Sequence, residues 1–94
     1  MEFEWDKAKA AANVEKHKVS FVEAITVFSD PLARIFNDEE HSLEEQREII
    51  IGHSGSNRLL LVCFTEWDDS IVRIFSARQA TRNERQDYEE NAGS

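Results

Sequence analysis

The chain is 94 residues long, 40% hydrophobic and 32% charged, with a formal net charge of −8. Those values fit one soluble folded domain with a single core, and the longest apolar run, Leu59-Leu60-Leu61-Val62-Cys63-Phe64, is strand-sized rather than membrane-sized. The acidic balance disfavours non-specific binding to nucleic acid, whose strength grows with the number of phosphates neutralised.

The chain opens on Met1-Glu2-Phe3-Glu4-Trp5-Asp6, which is acidic where a signal peptide is basic and apolar, so a cytoplasmic protein is expected. Asp6 to His17 reads as a helix, with Asp6 as N-cap and Ala8, Ala10, Ala11 and Ala12 raising helix propensity. Ser20-Phe21-Val22-Glu23 matches a capping box with Val19 as its staple, and Phe21, Ala24, Ile25 and Phe28 then recur at helical spacing. Ser29-Asp30-Pro31 ends this second helix.

The period then changes. Leu32–Asn37 is a short strand candidate, and Asp38–Glu45 is a polar loop. Arg47–Ser54, Arg58–Thr65 and Ile71–Ala77 are three further strands, joined by turns at Ser54-Gly55-Ser56-Asn57 and Glu66–Ser70. Thr81-Arg82-Asn83-Glu84 is a second capping box, and it opens a C-terminal helix that frays near Asn91-Ala92-Gly93-Ser94. Two N-terminal helices, a four-stranded antiparallel meander and a last helix make an α+β domain covering residues 1–94.

Charge is unevenly placed. The lysines all fall between Lys7 and Lys18, whereas the arginines begin at Arg34. Residues 71–85 hold Arg73, Arg78, Arg82 and Arg85 against Glu84 alone, a local charge of +3 (four less one). An acidic chain that gathers guanidinium groups at one strand-to-helix junction is equipped to meet phosphates or a partner's carboxylates. Strict alternation places Ile71, Arg73, Phe75 and Ala77 on one face of the strand, and Val72, Ile74 and Ser76 on the other. Arg73 then either bridges the sheet to Glu48 or Glu66 or faces an open groove. Arg85 and Tyr88 share a helix face, plain packing being the favoured reading of Tyr88.

Other chemistries find little support. The three histidines and Cys63 lack metal-ligand spacing, no phosphate-binding glycine loop is present, and neither a metal nor a cofactor is expected. Cys63 sits in an apolar run without a thiolate-stabilising neighbour. Lys16 and His17 close the first helix, where cations suit the dipole. His17 and His53 carry the side chains suited to proton transfer near neutral pH. Metal-free RNA cleavage needs a base for the 2′-hydroxyl, cations for the phosphorane and an acid for the leaving oxygen, and the chain holds all three types.

The blocks Phe3-Glu4-Trp5-Asp6, Lys16-His17-x-Val19-Ser20-Phe21-x-Glu23-Ala24, Phe28-x-Asp30-Pro31, Glu45-x-Arg47, Ile51-Gly52, Arg73-Ile74-x-Ser76-Ala77-Arg78 and Glu84-Arg85-x-x-Tyr88 resemble, in register, the BrnT toxins. Lys18 and Phe75 depart from that pattern, where glycine and a smaller aliphatic residue are usual. The resemblance implies a RelE-like α+β fold and the toxin half of a type II toxin–antitoxin pair. It implies a metal-independent endoribonuclease that stops translation by cutting RNA. It implies a BrnA-like ribbon-helix-helix antitoxin as partner, with operator DNA bound only through the complex. On this resemblance His17, Arg47, Arg73 and Arg78 are the expected catalytic residues, and Lys16, Glu84, Arg85 and Tyr88 the expected substrate contacts. The alternative is a non-catalytic module that docks an antitoxin-like partner on the same arginine junction. Direct sequence-specific DNA binding is disfavoured, because the last helix carries Glu84, Asp87, Glu89 and Glu90.

Overall fold

The computed structural model describes residues 1–41, 46–68 and 70–92. Residues 42–45 of the expected polar loop, Asp69 of the expected turn and the last two residues lie outside the described residues. The first helix, α1, spans Lys7–His17. Asp6 caps it as expected, its Oδ1 accepting from the Ala8 and Lys9 amides at 2.8 and 3.1 Å. Lys18 ends it in the left-handed conformation, at φ 60° and ψ 32°, the backbone geometry that favours glycine at this place in a helix.

The second helix is shorter than expected. α2 covers Phe21–Ile25 and tightens into a 3₁₀ turn over Thr26–Ser29. Ser20 Oγ caps it through the Glu23 amide at 3.0 Å, but the Glu23 side chain does not complete a capping box. Its carboxylate is taken by Arg58 Nε at 2.9 Å and Ser54 Oγ at 2.7 Å instead. A bidentate guanidinium outcompetes a neutral amide for a carboxylate.

Among the described residues the sheet has five strands, where four were expected: β1 Glu2–Glu4, β2 Arg34–Asn37, β3 Glu48–His53, β4 Leu59–Trp67 and β5 Ile71–Gln79, in the order β1-β5-β4-β3-β2. β2 to β5 form the expected antiparallel meander, but β1 adds to its edge in parallel, with Phe3 opposite Val72 and Glu4 opposite Arg73. Three residues with one apolar position carry no periodic signal, and the pairing is entirely non-local, so β1 is invisible to pattern reading. The last helix, α3, spans Arg82–Ala92.

α1, α2 and the 3₁₀ turn cover one face of the sheet. There Val19, Phe21, Ala24 and Val27 meet Ile50, Leu60, Val62, Phe64, Val72, Ile74 and Ala77 in a single core. Phe28 sits between the Phe3 and Phe64 rings, at 5.2 and 5.0 Å. Asn13, only 6% exposed, ties α1 to β5: its Nδ2 donates to the Val19 and Ala77 carbonyls at 2.9 and 2.8 Å, and its Oδ1 accepts from the Ala77 amide. Gly52 is required by close approach, because a Cβ there would meet the Ala33 Cβ at 2.8 Å.

The opposite face is only partly covered. Tyr88 of α3 closes over Ile51, Leu59 and Leu61, and among the described residues a cavity opens on the rest of that face. A bulge in β5 shapes the open part. Cys63 pairs with Ser76 but the next residue, Phe64, pairs with Ile74, so Phe75 has no counterpart on β4. The extra residue resets the alternation: Val72 and Ile74 face the helices before it, and Ala77 does so after it. Ala77 therefore parts from Phe75, contrary to strict alternation, while Phe75, Ser76 and Arg78 all reach the open face.

Candidate active site

A cavity of about 360 Å³ opens on that face beside the bulge. Ile49, Leu61 and Cys63 of β3 and β4 line it together with Phe75, Ser76 and Arg78 of β5. Lys9 from α1, Arg47 before β3, and Asp38 and Glu40 after β2 also line it. Phe75 organises the cations. The Arg47 guanidinium carbon lies 3.9 Å from its ring centroid and the Lys9 ammonium 5.5 Å away, both within reach of the ring's negative face.

Asp38 is 9% exposed, and its amide donates to the Arg47 carbonyl at 2.9 Å, fixing the two residues against each other. The Cys63 Sγ donates to Asp38 Oδ2 at 3.5 Å. Burial and the Asp38 charge push the Cys63 thiol up to about 11, so it is a neutral donor rather than a nucleophile.

Arg78 leaves the end of β5 and lies bidentate on Glu84, at 2.7 and 2.9 Å. Glu84 also accepts from the Thr81 amide at 2.8 Å, so the second capping box forms as expected and carries the arginine as well. The Arg78 guanidinium, ahead of the amide bond, holds the Glu84 carboxyl down to about 2. A second, smaller cavity of about 190 Å³, lined by Arg34, Phe36, Ile51, Glu84, Asp87 and Tyr88, shares Leu61 with the first. The Arg78–Glu84 pair stands between the two.

Of the residues expected from sequence, the fold brings Arg47 and Arg78 to one cavity and seats Glu84 on Arg78. Arg73 points along the same face but lines neither cavity. It pairs with Glu4 at 3.4 Å and lies 5.9 Å from the Trp67 ring. The bridge expected to Glu48 or Glu66 goes to Glu4 because the unforeseen β1 places that residue in register beside it. Tyr88 is 5% exposed and donates its hydroxyl to the Leu32 carbonyl at 3.2 Å, a packing residue that also borders the second cavity. Arg85 faces solvent and approaches Glu89 at 3.8 Å. Lys16 and His17, in the last turn of α1, line neither cavity.

Sequence reading missed Lys9, Asp38 and Ser76 as site residues. Asp38 and Cys63 are 25 positions apart, and no local pattern links them. Lys9 was legible only as a helix-surface lysine. Among the described residues, no group of three or more His, Cys, Asp or Glu side chains is placed to hold a metal ion. Among the same residues, no helix is long and apolar enough to cross a membrane.

The structure is similar to the crystal structure of the Brucella abortus ribonuclease toxin BrnT, with a TM-score of 0.67 and 23% identity over 87% of this chain and 99% of that one. That likeness establishes a shared fold. Among curated proteins no match was found. The family described as the ribonuclease toxin BrnT of type II toxin–antitoxin systems matches residues 5–84. With that match over most of its length, the chain belongs to the BrnT family of ribonuclease toxins.

Proposed function

We propose that this chain is a metal-independent endoribonuclease that arrests translation by cutting RNA in the cavity beside the β5 bulge. The observation that carries the reading is the convergence of Lys9, Arg47 and Arg78 on one cavity in an otherwise acidic chain. Preorganised cations stabilise the charge that develops on a phosphorane without a metal ion. In this reading Arg47 and Arg78 meet the scissile phosphate, and Glu84 positions Arg78. Arg73 guides the strand further along the same face, and Lys16 and Arg85 are peripheral contacts. The fold is read as RelE-like, and the partner as a BrnA-like ribbon-helix-helix antitoxin that covers the cavity and carries the complex to operator DNA. A cytoplasmic location follows from that role.

Induced expression of the wild-type chain and of an Arg73→Ala/Arg78→Ala variant tests this reading. Growth arrest with fragmented RNA from the wild type alone supports it. Normal growth and intact RNA from soluble, folded wild-type protein overturn it.

One observation favours a second reading, in which the chain only docks a partner. Edge strand β2 and the segment before it expose Leu32, Ile35 and Phe36, and the Arg78 charge is already met by Glu84. Capture of an antitoxin with no cleavage of RNA would select it.

A further inference from the structure

Cleavage without a metal needs a group to take the proton from the attacking 2′-hydroxyl, and that group must border the cavity that holds the cations. His17 does not border it. Among the described residues, the lining groups that carry protons or accept them are Lys9, Asp38, Glu40, Arg47, Cys63, Ser76 and Arg78. Lysine and arginine are cationic at neutral pH and accept nothing. The Cys63 thiol is neutral, and a serine hydroxyl is a poor base on its own. Two carboxylates remain. Glu40 is exposed, whereas Asp38 is 9% exposed and anchored from two sides, by its own amide on the Arg47 carbonyl and by the Cys63 thiol on its Oδ2. A base held in place beside the cations is the one able to act in a fixed geometry.

Resting on the ribonuclease reading, we infer that Asp38 is the general base of this site. Asp38 takes the proton of the 2′-hydroxyl as the 2′-oxygen bonds to phosphorus. The bond from phosphorus to the 5′-oxygen breaks, and that oxygen takes a proton from solvent. The products are a 2′,3′-cyclic phosphate and a free 5′-hydroxyl, with no change of oxidation state and no co-reactant. Cys63 is a positioning residue, its thiol holding Asp38 Oδ2 at 3.5 Å beside the cavity that both residues line.

The test is steady-state cleavage of a fluorogenic single-stranded RNA by the full chain, with a 2′-deoxy analogue as a non-cleavable ligand. Asp38→Asn is expected to lower kcat by about 100-fold or more, in the range of general base catalysis, while the Kd for the analogue changes less than about threefold. Equal kcat for Asp38→Asn and wild type overturns the assignment. Asp38→Glu, which keeps a carboxylate at that place, is a second variant: it is expected to recover at least about tenfold of the kcat lost in Asp38→Asn. No recovery from folded Asp38→Glu also overturns the assignment. If folded wild type binds the analogue but cleaves no RNA, the ribonuclease reading itself falls and Asp38 has no reaction to serve. Cleavage that persists with wild-type kcat in Asp38→Asn leaves the ribonuclease reading standing and removes only the base.

Discussion

The Arg78 guanidinium lies flat against the Glu84 carboxylate, at 2.7 and 2.9 Å, across the junction between β5 and α3. One carboxylate thus caps a helix and orients a cation at a cavity rim. Its pKa is depressed from 4.5 to about 2, so the pair adds stability above about pH 4.5 that is lost as pH falls toward about 2. Both side chains are about a third exposed, so solvent screening holds the pair to about 1 kcal/mol. Urea unfolding of wild type and Glu84→Gln should show that gap at pH 6 and a narrower one near pH 2.5. A gap independent of pH would contradict the assignment.

Asn13 satisfies three backbone groups of the buried α1–β5 contact. Asn13→Ala leaves those groups unpaired and should cost about 2–4 kcal/mol, since each orphaned buried group costs about 1–3 kcal/mol and the effects overlap. Equilibrium denaturation measures it, and a loss below about 1 kcal/mol would show that water replaces the amide.

Lys18 holds a left-handed backbone at φ 60°. Lys18→Gly removes that strain and should raise stability by about 0.5–1 kcal/mol, read as a higher melting temperature. A lower one would mean that the contact of its ammonium with the Glu15 carbonyl, at 3.2 Å, outweighs the strain.

Cys63 should be inert in the folded protein. With its thiol at about 11, roughly one molecule in a thousand is thiolate at pH 8, and thiolate is the reactive form. Labelling by a thiol reagent should be slow until denaturant is added. Fast labelling of native protein would place Cys63 in a more open, more polar cavity.

Much of this fold was written in local chemistry. Asp6 and Thr81 announce their helices, and the runs Ile49–Ile51 and Leu59–Phe64 announce the central strands. What escaped was non-local. β1 exists because β5 offers it an edge, and the bulge exists because Phe64 pairs with Ile74 instead of Phe75. The site followed the same division. Arg78 was legible in a concentration of positive charge and Arg47 through the family resemblance, whereas Asp38 and Lys9 became site residues only once the sheet and α1 brought them to the bulge. Glu23 shows the converse error: its spacing fits a capping box, and a distant arginine claims it.

On the proposed function, the cations at the bulge cavity stabilise the phosphorane as RNA is cut. The decisive measurement is cleavage of a defined single-stranded RNA by purified wild-type chain and by Arg47→Ala/Arg78→Ala in the presence of a metal chelator, with folding of both checked by thermal melting. The wild type should cut in chelator, and the folded double variant should lose at least about 100-fold in kcat, the scale of removing an oxyanion-type contact. Equal cleavage by the two proteins, or none by the folded wild type, would contradict it.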